Sequence, residues 1–378
     1  MADETLINKI HELSDLELAA LICLVAKEHC IIDTEPVVID ELVQELELVF
    51  SNLSFASPVS SLTLEQIAAK VFGLSYAVVD CSEHTSLDDF AHAILTVEGS
   101  PTRSNSPVRT RQDSYFLNTP AFQSISRSPV SETFADNKTI PNVIIAKNLD
   151  EAPKQVQIQA LELMRTKRIY TRTSVQNAPK RFLFIALLAG GDGPRLTKHL
   201  NDHMFISHFH DPEDGFPNLE EMFDDTGSIS SVVKKSPRLN TEFMTSPRVS
   251  ATEIEQLVQL SEQATVSIEV KAYQQNIIAF LRVHRAVASG ISAPATVLFD
   301  KLAKCLAPLH NLSYATPSLI DLAARKIYPH RIQIVKPENE RSMQWGSDLD
   351  AVAELLEGTT TEDVIEDVLG SSGAETPL

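Results

Sequence analysis

Residues 141–188 read PNVIIAKNLDEAPKQVQIQALELMRTKRIYTRTSVQNAPKRFLFIALL, and the reading of the fold starts here. A short apolar run, Val143 to Ala146, leads into an amphipathic helix of about four turns. A basic, Thr-rich segment follows, then a second apolar run from Phe182 to Leu188. Short apolar runs separated by a helix suit parallel strands buried on both faces, with the helix as their crossover. The order strand, helix, hairpin-like arm, strand predicts an α/β domain.

Upstream, Thr5 to His29 has a helical apolar face (Leu6, Ile10, Leu13, Leu16, Leu18, Leu21, Leu24), broken at Ser14-Asp15, where a second helix is capped. His29 to Asp33 reads as a strand and Ile39 to Phe50 as a helix. Ser51 to Thr63 reads as a loop, Leu64 to Phe72 as a helix and Ser75 to Cys81 as a strand; Ser86 caps the next helix. Downstream of the quoted stretch come a Gly-rich loop at Gly190 to Pro194, a short helix from Arg195 to His203 and a last strand from Met204 to His210. From Ala251 the spacing predicts helices over Glu253–Ala264, Val270–Ser289, Ala293–Leu306 and Leu319–Ile327, the last capped by Thr316 with Pro317 at its first position. Beyond Trp345 it predicts one helix, Asp348–Leu356, and a frayed end.

The expected division is therefore 1–98 for N-terminal helices and the first half of an α/β core, 99–139 for an insertion, and 140–210 for the second half of the core. Then come 211–250 as linker, 251–335 as a helical domain and 336–378 as an acidic tail. The insertion is rich in Ser, Thr, Pro and Arg and poor in aliphatics, a composition that cannot bury enough surface to fold alone. It and the linker carry short kinase-site patterns at Ser106, Ser114, Ser128, Ser236 and Ser246.

The 378 residues carry a net charge of −19, which argues against nucleic acid and anionic membranes as general partners. The four cysteines have no CxxC spacing and read as buried thiols of a reducing compartment, not as disulfides or a metal site. No apolar run reaches membrane-spanning length, and MADETLINKIHEL is unlike a signal or transit peptide. The expected location is cytoplasmic or nuclear.

The order of elements, a parallel-sheet core followed by a separate helical bundle, resembles an AAA+ module of the P-loop NTPase superfamily with its lid. Gly290-Ile291-Ser292-Ala293-Pro294-Ala295 is similar to the GASPRA turn of the magnesium-chelatase I subunit and MoxR-like branch. Leu312-Ser313-Tyr314-Ala315-Thr316-Pro317 is similar to that branch's RDYVTPEDV, and Tyr328-Pro329-His330-Arg331-Ile332 to its VLRHRI. The resemblance implies an α/β AAA+-like parallel sheet flanked by helices and followed by an all-α lid. It also implies ring formation with AAA+ subunits or with copies of the same chain.

The nucleotide motifs do not follow the family. A P-loop uses glycines to wrap phosphate and a Lys and Ser/Thr for charge and Mg²⁺. The equivalent stretch is Asp33-Thr34-Glu35-Pro36-Val37-Val38, without glycine or lysine. The two acidic Walker B positions fall at Ala146 and Lys147, the sensor Asn at about Ala189, the arginine finger near His203, and the lid arginine at Pro294. The expectation is a degenerate module acting as a regulatory or assembly subunit, without a cofactor. The alternative is an active remodelling or chelatase-type ATPase in which Asp150 and Glu151 stand in as ligands for Mg and ATP. A zinc site among His199, His203, His208 and His210 is disfavoured because no Cys or carboxylate completes a set. The basic arm, with Arg165, Lys167, Arg168 and Arg172, reads either as a solvated hairpin or as a contact for an acidic partner surface.

Overall fold

A computed structural model describes residues 4–50, 71–97, 138–171, 174–191, 193–220, 247–370 and 374–377. The five kinase-site serines, Arg172 and most of Leu64–Phe72 lie outside these residues. In chain order the core comprises α1 (Glu4–His11), α2 (Asp15–Ala26), β1 (Cys30–Thr34), α3 (Ile39–Phe50), β2 (Tyr76–Asp80), α4 (Leu87–Ile94), β3 (Thr96–Val97) and β4 (Lys138–Thr139). It continues with β5 (Val143–Lys147), α5 (Lys154–Thr166), β6 (Arg168–Tyr170), β7 (Val175–Asn177), β8 (Leu183–Ala189), α6 (Lys198–His203) and β9 (Ile206–Phe209).

Five strands form one parallel sheet in the order β2-β5-β8-β1-β9. The two apolar runs of the 141–188 stretch are β5 and β8, paired in register from Val143 opposite Leu183 to Lys147 opposite Leu187. Strand residues alternate between faces. Val143, Ile145, Leu183, Ile185 and Leu187 pack toward α2 and α3, whereas Ile144, Ala146, Phe184, Ala186 and Leu188 pack toward α4 and α5. Burial on both faces is why these strands read as continuous apolar runs. The arm is an antiparallel hairpin of β6 and β7. Ser14 and Ser86 both close capping boxes, with Glu17 and Asp89.

The C-terminal part consists of α7 (Ala251–Gln263), α8 (Ile268–Val283), β10 (Val287–Ser289), α9 (Ala293–Leu309), α10 (Pro317–Ile327), β11 (Gln333–Ile334), α11 (Leu349–Leu356) and α12 (Thr361–Leu369). Its apolar faces join those of α2 and α3 in one continuous core. The expected Val270–Ser289 helix is shorter. It stops at Val283 because His284 turns extended and its Nδ1 accepts the Ala286 N–H at 3.2 Å, freeing Val287–Ser289 to pair with β11. The Ala293 helix runs one turn further than expected, to Leu309, with Pro308 in its last turn.

The tail carries a second helix, α12, where a frayed end was expected. A Thr360–Asp363 capping box starts it, and Val364, Ile365 and Val368 are buried. Arg325 and His284 reach across to Glu366 and Asp367 at 2.6 and 3.1 Å.

The join between the two parts is polar and buried. Arg331, 3% exposed, donates from Nη1 to the carbonyls of Phe205 (3.3 Å) and Ile327, and from Nη2 to those of Met204 and Asp202. The Nδ2 of Asn201 donates to the His330 carbonyl, and the Oγ of Ser292 to Asp202. A guanidinium that satisfies carbonyls of α6 and of the residues just after it fixes the helical part against the sheet. Gly290 allows the close approach: it sits at φ +118°, and a Cβ there would lie 2.0 Å from the Arg331 carbonyl oxygen.

Candidate functional site

Open parallel sheets bind ligands beyond the carboxyl ends of their strands, beside the point where strand order reverses. Here that place lies past the ends of β1, β5 and β8. Residues 35–38 connect β1 to α3. They form a tight turn, with the Val38 N–H donating to Glu35 O at 3.2 Å. Pro36 packs against Gly190, whose N–H is given to Thr34 O at 2.7 Å. A turn this short, containing proline and no glycine, offers no ring of inward-pointing N–H groups for a phosphate.

Arg195, from the loop after β8, occupies the crevice. Its Nη2 makes an ion pair with Asp33 Oδ1, and its Nη1 lies 3.7 Å from Asp150 Oδ2. Ser207 Oγ adds a hydrogen bond to Asp33 Oδ2 at 3.0 Å. Burial pushes the Asp33 carboxyl above the usual carboxylate range, against the opposing pull of Arg195 and Ser207. Gln157, 4% exposed, braces both sides. Its Nε2 donates to Ala152 O at 3.1 Å, and its Oε1 accepts the Thr197 N–H at 2.9 Å.

A second ion pair crosses the mouth. Lys147, ending β5, donates to Asp40 in the first turn of α3 at 2.6 Å. In a working P-loop site the lysine is carried by the loop leading into that helix and the carboxylate by the strand. This chain has the opposite arrangement. Two carboxylates around one guanidinium, plus one neutral pair, leave the crevice with a surplus negative charge, which is the wrong sign for a triphosphate.

Asp150 thus lies in the crevice but faces an arginine. Glu151 is exposed in the turn before α5, not within the helix, whose first residue is Lys154. Ala189, His203 and Pro294 stand at the end of β8, in the last turn of α6 and in the first turn of α9. The four histidines do not converge, and no group of three or more His, Cys, Asp or Glu able to hold a metal occurs among the described residues. His208 Nδ1 lies 3.2 Å from Lys326 Nζ, and the His210 ring packs on Phe216.

The arm divides. Arg165 and Arg168 are exposed, whereas Lys167 is half-buried, with Nζ 3.0 Å from His29 Nε2 and 5.0 Å from the centre of the Phe182 ring. Sequence reasoning missed Asp33, Arg195, Gln157 and the inverted Asp40–Lys147 pair as a connected set. The one available signal was Arg195 itself, which the sequence reading put at the start of a helix that begins only at Lys198.

Residues 279–353 match the family model of the AAA lid domain. A crystal structure from Cytophaga hutchinsonii, described as that of a candidate ATPase, superposes with a TM-score of 0.58 at 16% identity, covering 96% of this chain and 92% of that one. An MCM homologue from Methanopyrus kandleri gives a TM-score of 0.38 at 12% identity over 84% of this chain and 56% of its own, too loose to argue from. Among curated proteins, Maintenance of telomere capping protein 2 of Lachancea thermotolerans is 34% identical over 92 residues, 23% of this chain and 32% of that protein. The match therefore spans about a third of that relative. The core-plus-lid architecture is that of the AAA+ superfamily.

Proposed function

We propose that this AAA+ module does not turn over ATP and works as a regulatory or assembly subunit, docking on AAA+ ring subunits or on copies of itself. The observation that carries the reading is the Asp33–Arg195–Asp150 cluster: protein charges occupy the place where phosphate and Mg²⁺ would sit. The inverted Asp40–Lys147 pair supports it, because it puts the lysine on the strand and the carboxylate on the helix. The Arg331 anchor suits it too, since buried hydrogen bonds hold the lid directly to the core. Lids that close over a ligand must move, whereas a helical part held by buried hydrogen bonds suits a static role.

The exposed Arg165 and Arg168 are the contact surface in this reading, suited to acidic residues of a neighbouring subunit. The 92-residue match makes telomere-capping assemblies the first place to seek a partner. Sedimentation velocity with and without Mg-ATP tests the reading. Assembly should be the same in both conditions and should weaken in the Arg165→Glu/Arg168→Glu variant. Assembly that requires Mg-ATP would favour the active-ATPase alternative, with Asp150 and Glu151 as ligands.

A further inference from the structure

The inward turn of Lys167 places an amine against a histidine whose tautomer is set by the backbone. His29 is 1% exposed. The Phe184 N–H donates to its Nδ1 at 3.0 Å, so Nδ1 carries no proton. Burial holds the imidazole well below its usual range and therefore neutral. A neutral imidazole with a bare Nδ1 must carry its proton on Nε2. Lys167 Nζ is 3.0 Å from that Nε2. An ammonium has only donors and would face an N–H head on, whereas a free amine has a lone pair to accept it. The Met164 carbonyl, also beside the ring, is a second acceptor for the Nε2 proton.

The surroundings agree. Lys301, from α9, and His203, from α6, face the pair, with Arg165 close by on α5; Glu28 is the carboxylate facing Lys167 and is engaged by Lys301, while Asp202 faces His203. Against these stands the Phe182 ring under Nζ, whose face favours the ammonium. The backbone at Lys167 is fixed in the left-handed region (φ +56°), with its N–H given to Leu163 O at 2.9 Å and its carbonyl accepting from Ala178 N at 2.7 Å. The side chain keeps partial access to solvent.

We infer that Lys167, whose amine is held by the His29 Nε2–H, is a nucleophilic lysine and a modification site for small carbonyl electrophiles. With an aldehyde, the lone pair adds to the carbonyl carbon, the amine loses its two protons to the departing oxygen as water, and an imine forms. A hydride donor then traps it as a secondary amine. This site is separate from the nucleotide crevice, lying at the other end of β1.

The test uses the intact chain, limiting formaldehyde with cyanoborohydride as hydride donor, and peptide mass mapping between pH 6 and 9. An ordinary exposed lysine gains about tenfold in free amine per pH unit over this range. Lys154 and Lys198, both exposed, are the internal references. Lys167 should label at least tenfold faster than either at pH 6.5, and its rate should level off before pH 9. Glu28→Gln, which removes the carboxylate favouring the ammonium, should raise the rate at pH 6.5. Lys167→Arg should abolish the modified peptide. A Lys167 rate equal to that of Lys154, climbing tenfold per unit to pH 9, would overturn the proposal.

Discussion

Replacing Arg195 with Met tests whether the crevice is held by charge. The variant keeps the side-chain stem and removes the guanidinium that pairs Asp33 and approaches Asp150. Removing one partner of a fully buried pair costs about 3–5 kcal/mol. Arg195 and Asp33 retain 17% and 18% side-chain exposure, and Ser207 still donates to Asp33, so the cost at pH 7 should be about 2 kcal/mol. The unpaired Asp33 can also take up a proton. That route limits the cost to about 1.4 kcal/mol for each unit between the pH and its new pKa. The cost at pH 5 should therefore be less than half that at pH 7.

Asp33→Asn, the neutral isostere, should cost less than Arg195→Met, and the double variant less than the sum of the two. Its sign against pH is set by the raised Asp33 pKa. That contribution is full below the unfolded carboxylate value of about 4 and fades as pH rises through the folded value. The wild type should thus lose ground to Asp33→Asn as pH rises. Urea unfolding followed by circular dichroism at pH 5 and 7 measures all of these. A cost for Arg195→Met below about 0.5 kcal/mol at pH 7, or one equal at both pH values, would refute the reasoning.

Gly290→Ala should destabilise the lid by about 3 kcal/mol or more, because its methyl carbon would meet the Arg331 carbonyl at 2.0 Å; faster limited proteolysis of 251–370 reads this. Arg331→Met strands several buried carbonyls and should cost about 3 kcal/mol, with enhanced hydrogen exchange in α6 and α10. Burial lowers the pKa of His29, His330 and His208, the last to about 4. Their contributions are full above about pH 6.5 and are lost as pH falls, at about 1.4 kcal/mol per unit for each. Unfolding free energy should drop steeply from pH 6.5 to 5, and less so in His208→Gln.

The sheet was legible because β5 and β8 bury both faces, so Val143–Ala146 and Phe182–Leu188 had to be apolar throughout. The caps at Ser14, Ser86 and Thr316 were legible because their hydrogen bonds are local. The end of α8 at Val283 was not, since pairing of Val287 with Ile334 decides it from 47 residues away. Helix α12 carried its Thr360–Asp363 signal in plain view, but its apolar face is narrow and needs Arg325 and the lid core beside it. Composition showed that 33–38 contains neither glycine nor lysine. It could not show what stands there instead, because Arg195 reaches Asp33 across 162 residues. Lys167 looked like its exposed neighbours until the left-handed turn ending α5 aimed it at His29.

The central claim is that protein charges close the nucleotide crevice. Isothermal titration of the intact chain with Mg-ATP tests it most directly. The account predicts no binding heat with ATP at millimolar concentration. Micromolar, Mg-dependent binding that disappears in Asp150→Ala would contradict it.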